Sequence, residues 1–194
     1  MNVIQQLSFL LRITHSYAIA RRYFVVNGFD GALTMLGLIL GFLFSAPTEL
    51  PVIISVCLGA AIALGMSGVS SAYVSEAAER RRALAELEAS MVKDLQQSAH
   101  GEAARSVPLL IALVNGAAPL FISLIILMPL WLSNAGIVMP FSPLHAAIVI
   151  ALLLIFLLGV FLGRISGMSM LRSGLQTLVL AMATSLLIYL FAGS

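Results

Sequence analysis

Five runs of about twenty residues, nearly free of charge, constrain this chain more than any other feature: 23–44, 51–73, 107–132, 143–163 and 173–191. A helix needs about 20 apolar residues to cross roughly 30 Å of hydrocarbon, so each run is long enough for one crossing. An acidic residue enters only the first run, at Asp30. The breaks carry turn chemistry: Ala46-Pro47-Thr48 after the first run, Ser133-Asn134-Ala135-Gly136 after the third, and Ser142-Pro143 as an N-cap with proline at the first helical position of the fourth. The predicted fold is all-α, a polytopic membrane protein with five transmembrane helices. Composition agrees, since 61% of the 194 residues are hydrophobic and 9% charged, against roughly 25% charged in a globular chain. So few charges cannot cover a water-facing surface, which argues against a soluble enzyme, a nucleic-acid binder or a disordered tail. Cys57 is the only cysteine, leaving no intrachain disulfide and no cysteine-based metal cluster.

The placement of the cations predicts topology. Arg12, Arg21 and Arg22 precede the first span; Arg80, Arg81, Arg82, Lys93 and Arg105 lie between the second and third; Arg164 and Arg172 lie between the fourth and fifth. With five crossings all ten fall on one side, and the opposite loops carry only Glu49. The positive-inside rule then puts the N-terminus in the cytoplasm and the C-terminus outside, as expected for a protein of a prokaryotic plasma membrane.

Residues 1–22 read as an amphipathic helix lying on the inner leaflet and retained in the mature protein. Val3, Leu7, Leu10, Leu11 and Tyr17 face acyl chains there, while Gln5, Arg12 and Arg21 face headgroups. Residues 23–75 hold the first two spans, 76–106 a cytoplasmic helical extension, and 107–194 the last three spans. The extension reads as a continuation of the second helix to about Ala99, because neither Gly nor Pro intervenes between Gly68 and Gly101. Leu84, Leu87, Met91 and Leu95 form an apolar stripe on it that needs a partner. Arg80, Arg81 and Arg82 mark the headgroup boundary and favour anionic lipid.

Asp30 is the expensive residue, roughly 9 Å inside the span at 1.5 Å per residue. Insertion scales charge about 2.5–3.5 kcal/mol for a carboxylate near the bilayer centre. Such an acid is neutralised by a proton, by a bound cation, or by an arginine such as Arg21 or Arg22; competition between proton and metal for one site is the basis of exchange. Asn27, Gly28 and Gly31 place a second polar group and freed backbone beside it. Asn115-Gly116-Ala117-Ala118-Pro119 in the third span reads either as a loosened helix lining a cavity or as a packed proline kink. Met66, near the middle of the second span, is a candidate soft ligand as well as a packing residue. Glu76, Glu79 and Glu86 recur on one side of the extension, where they either guide a divalent cation or pair with Arg80, Arg82 and Lys93. His15, His100 and His145 lack a second ligand at metal-like spacing. Gly37 and Gly41, then Gly159, Gly163 and Gly167, form small-xxx-small patterns that mark helix-packing faces.

Several of these segments together resemble the vacuolar iron transporter family, including its prokaryotic members, over most of the chain from Arg21 to Phe191. The resemblance rests on Arg21-Arg22-Tyr23 with Asn27-Gly28-Phe29-Asp30-Gly31-Ala32-Leu33-Thr34, on Ala72-Tyr73-Val74-Ser75-Glu76 leading into 80–88, and on Gly163-Arg164-Ile165-Ser166-Gly167 with Leu171-Arg172-Ser173-Gly174-Leu175. It implies a five-helix homodimer that exports divalent iron or manganese from the cytoplasm in exchange for protons, with Asp30 at the position of the family's first-span acid. Where the family reads Ser-Met-Ala-x-Gly-Glu-Tyr-Val-Ser in the second span, this chain has Gly68 at the Met position and Ala72 at the Glu position.

The expected function is therefore a transporter whose metal residues are Asp30, Glu76, Glu79, Met66, Asn115, Asn27 and Glu86, with no resident cofactor and with lipid, a divalent ion, protons and a second copy of the chain as partners. The alternative is a non-transporting membrane scaffold that binds a partner through its cytoplasmic helix. An enzyme is not expected: there is no His-Glu-x-x-His, no pair of intramembrane aspartates and no Ser-His dyad.

Overall fold

The computed structural model describes residues 16–45, 47–138 and 140–192. They form five helices: α1 (Ser16–Phe44), α2 (Leu50–Met91), α3 (Ala99–Asn134), α4 (Pro143–Ser166) and α5 (Met170–Ala192). Each is long and apolar enough to cross a membrane, the signature of an integral membrane protein. Val3, Gln5, Leu7, Leu10, Leu11, Arg12 and His15 lie outside the described residues, whereas Tyr17 and Arg21 are part of α1 itself.

Helix ends follow local chemistry. Pro143 opens α4 as anticipated, with Ser142 before it, although the Ser142 hydroxyl makes no capping bond. Gly167 ends α4 in the left-handed region at φ 71, so it serves as a helix stop and not as a third member of the Gly159/Gly163 packing stripe. The end of α2 corrects an expectation. With 42 residues the helix is about 63 Å long, but it stops at Met91 and not near Ala99. Val92 takes φ 50, and the Lys93 amide turns back to donate to the Glu88 carbonyl at 3.3 Å. The Glu88 carboxylate then accepts the Leu95 amide at 2.9 Å and the Gln96 side-chain amide at 3.3 Å. Ser98 closes the turn by accepting the His100 amide at 3.2 Å, which starts α3. Side-chain hydrogen bonds thus end a helix that neither Gly nor Pro interrupts.

The chain divides into two compact units. One contains α1 up to Phe24 and Gly65–Ala117; the other contains Val25–Leu64 and Ala118–Ser194. The second has an apolar core to which all five helices contribute, including Met35, Leu36 and Ile39 of α1, Cys57 of α2, Ile126 and Leu130 of α3, Ile155 of α4 and Ala181 of α5. Within it α4 and α5 approach closely: a Cβ on Gly159 would collide with Thr177, and one on Gly163 would lie 2.8 Å from Ser173 Cβ. Those two glycines fill the packing role their spacing implies. Thr177 also donates from its hydroxyl to the Ile155 carbonyl at 3.1 Å. Gly37 and Gly41 differ, since a Cβ on Gly41 would meet nothing within 4 Å.

The first unit has a smaller core of Ala103, Val107 and Ile111 with Ile19 and Tyr23 against it. Leu84 and Leu95 are buried, Leu87 is half-buried and Met91 is exposed. Part of that apolar stripe is therefore covered by the chain itself.

Candidate functional site

Asp30 lies within unbroken α1 helix, so the Asp-Gly pair in this span makes no turn. Its neighbours explain its orientation. Gly28 and Gly31 are buried; a Cβ on Gly31 would come 2.7 Å from Pro119 Cα, and one on Gly28 would come 3.3 Å from Leu158. The two glycines let α3 and α4 press against α1. They do not loosen its backbone, as their position beside Asp30 had implied. Asn27 is half-buried. Asp30 itself is exposed, and among the described residues it makes no hydrogen bond or ion pair.

The other candidates belong to the first unit. Asn115 is buried and donates from Nδ2 to the Gly68 carbonyl at 2.7 Å. A Cβ on Gly68 would lie 3.1 Å from Gly116 Cα, and one on Gly116 would collide with the Gly65 carbonyl and with Val69. The paired glycines bring α2 and α3 into backbone contact, and Asn115 fastens the crossing. Of the two readings of 115–119, packing is the one observed: α3 continues unbroken through Pro108, Pro119 and Pro129. Gly68 is used for this close approach. Met66 is 60% exposed, turned away from the crossing.

Glu76 is buried, with a side chain only 4% accessible, and its Oε2 lies 3.7 Å from Arg80 Nε. Burial pushes its carboxyl above the ordinary carboxylate value. Arg80, a hydrogen bond from Tyr23 and the more distant Arg22 pull it back, and Glu79 adds to the rise. Glu79 and Glu86 are exposed, and Glu86 pairs with Arg82 at 2.9 Å in a solvated i,i+4 bridge. The three glutamates therefore do not share one environment. Among the described residues no three His, Cys, Asp or Glu side chains are grouped to hold a metal ion. The sequence had offered no sign of Tyr23 as a partner of Glu76, because the two lie on different helices.

No family model matches the chain, and no solved structure matches it. It is 30% identical over 172 residues to MJ0645 of the archaeon Methanocaldococcus jannaschii, a protein described as uncharacterized, with 87% of this chain and 86% of the relative covered. Similarity at that level across nearly the full length of both chains reflects common descent, and the protein belongs to the same family as MJ0645.

Proposed function

We propose that this protein is a membrane transporter that exports a divalent metal ion, iron or manganese, from the cytoplasm in exchange for protons. The observation that carries the reading is Asp30: an exposed carboxylate without a partner among the described residues, on a helix built to cross a bilayer. Against lipid such a group costs on the order of 2.5–3.5 kcal/mol near the centre. Burial of the glycines on either side aims it outward, away from its own core. A second copy of the chain covering that face removes the exposure and sets two carboxylates near a two-fold axis. Paired acids in a poorly hydrated seam share a proton or a divalent ion more readily than both stay ionised alone.

The remaining pieces fit around this centre. The gathering of the cations on one side supports a cytoplasmic location for the helix ends that bear Arg21, Arg80 and Arg164. Glu79, exposed beside buried Glu76, is positioned to meet cations from solvent, while Glu76 is engaged with Arg80 and Tyr23. Likeness to the vacuolar iron transporters supports the ion and the homodimer. The scaffold alternative has less surface to draw on, because Leu84 and Leu95 are already buried.

The test is transport by reconstituted protein. With a pH-sensitive dye on the opposite face, iron or manganese should drive a proton flux in proteoliposomes. Asp30→Asn should abolish that flux while the protein remains dimeric. Unaltered flux in the variant refutes the assignment.

A further inference from the structure

A cavity of about 400 Å³ lies within the first unit, between the far part of α2 and the start of α3. Two guanidiniums line it, Arg81 from α2 and Arg105 from α3, together with a single carboxylate, Glu88. One oxygen of that carboxylate, Oε1, accepts from the Leu95 amide at 2.9 Å and from the Gln96 side chain at 3.3 Å, and Glu88 forms no ion pair with either arginine among the described residues. Neither arginine forms an ion pair among the described residues. Arg105 donates one bond, from Nη2 to the Gln96 carbonyl at 3.1 Å, which orients its guanidinium and leaves its other donors free. Arg80 and Arg82, on either side of Arg81, are both engaged with glutamates.

We propose that this cavity binds a phosphate group, carried by an anionic membrane lipid or free in solution. Two unpaired like charges on one cavity repel each other, and an anion between them turns that repulsion into attraction. The planar donor forks of arginine match phosphate oxygens bidentately and suit them better than they suit a metal or a neutral ligand. The volume falls in the range of about 300–1,000 Å³ typical of ligand clefts. Its location favours a lipid headgroup. Tyr73 and Pro108 also line it, and they stand at the ends of the second and third apolar runs, where the hydrocarbon gives way to headgroups. Arg105 is three residues from Pro108, about 4.5 Å along α3, and Arg81 is eight from Tyr73, about 12 Å along α2, so Arg105 stands in the headgroup layer and Arg81 just beyond it, within reach of a long side chain. Lipid headgroups occupy roughly the first 5–7 Å beyond the hydrocarbon. On the cytoplasmic leaflet, where the positive-inside rule places this end, anionic lipids are the abundant source of phosphate. The inference rests on that orientation and not on metal exchange at Asp30.

The experiment is thermal unfolding of the full chain in mild detergent, titrated with short-chain phosphatidylglycerol, with phosphatidylcholine of the same chain length, or with inorganic phosphate. Phosphatidylglycerol should raise the midpoint and phosphatidylcholine should not. Arg81→Gln should weaken the phosphatidylglycerol response about ten-fold or more, the scale of losing a charge-assisted hydrogen bond. Lys93→Gln, which removes a cation outside the cavity, should leave the response unchanged. Should Arg81→Gln unfold, Arg81→Lys takes its place; it retains the charge and loses the fork, and should bind more weakly than wild type. If inorganic phosphate protects alone and displaces the lipid, the ligand is the free ion. Equal protection by both lipids, or an undiminished response in the Arg81 variants, overturns the proposal. Because the readout is lipid binding, failure of transport at Asp30 leaves it standing.

Discussion

Replacing Asp30 by leucine distinguishes an acid kept for function from one kept for structure, because the two roles predict opposite signs of the stability change. On insertion scales leucine gains about 0.3–0.6 kcal/mol at the helix centre where aspartate loses about 2.5–3.5, a difference of about 3–4 kcal/mol. Asp30 lies roughly 9 Å into a half-bilayer of about 15 Å, short of the centre where the full difference applies, so about 1–3 kcal/mol is the expected gain. No bond is lost in return, since among the described residues Asp30 has no hydrogen bond or ion pair. The Asp30→Leu variant should therefore unfold at higher denaturant than wild type in bicelles, and should carry no metal-driven proton flux in proteoliposomes. Gain of stability with loss of function is the usual mark of a site held in an unfavourable state for its chemistry. A destabilisation above about 1 kcal/mol would show that the carboxylate supports the fold through a contact it makes in the membrane, and would refute the argument from exposure.

Glu76 gives a pH test. Its folded carboxyl is raised above the ordinary value by burial, so the fold binds this proton more tightly than the unfolded chain does. The stability it contributes is then full below 4.5, the ordinary value for a glutamate, and is lost as pH rises through the folded value. Glu76→Gln should flatten that decline in a series of thermal midpoints taken upward from pH 4.5; an unchanged slope would remove Glu76 from the account. At the α2–α3 crossing, Gly116→Val sets a branched side chain against the Gly65 carbonyl and Val69. It should cost about 1–3 kcal/mol or more in denaturant unfolding, and a neutral result would mean that the helices separate at little cost.

Much of the architecture is legible in the chain because a bilayer imposes a one-dimensional rule. Backbone groups in hydrocarbon must bond within their own helix, so apolar length alone locates the spans. All five runs lie within helices, and Ser142-Pro143 marks the start of α4. The end of α2 was not legible, since it depends on Val92 in the left-handed region and on Glu88 reaching the amides of the next turn. The polar candidates were harder still. The sequence around Asn115 fits a cavity-lining residue and a packing residue equally well, and only the tertiary bond to the Gly68 carbonyl separates the two. Gly28 and Gly31 read as loosened backbone, and instead they admit Leu158 and Pro119.

Hydropathy determined by itself how many helices of spanning length the described residues form and where the apolar runs stop. Which side of each helix is covered was decided only by the tertiary structure. A span that is apolar on every face carries no periodic signal of its own, and the buried side is selected by where a neighbour can approach. On α1 that approach occurs at Gly28 and Gly31, and it leaves Asp30 pointing the other way.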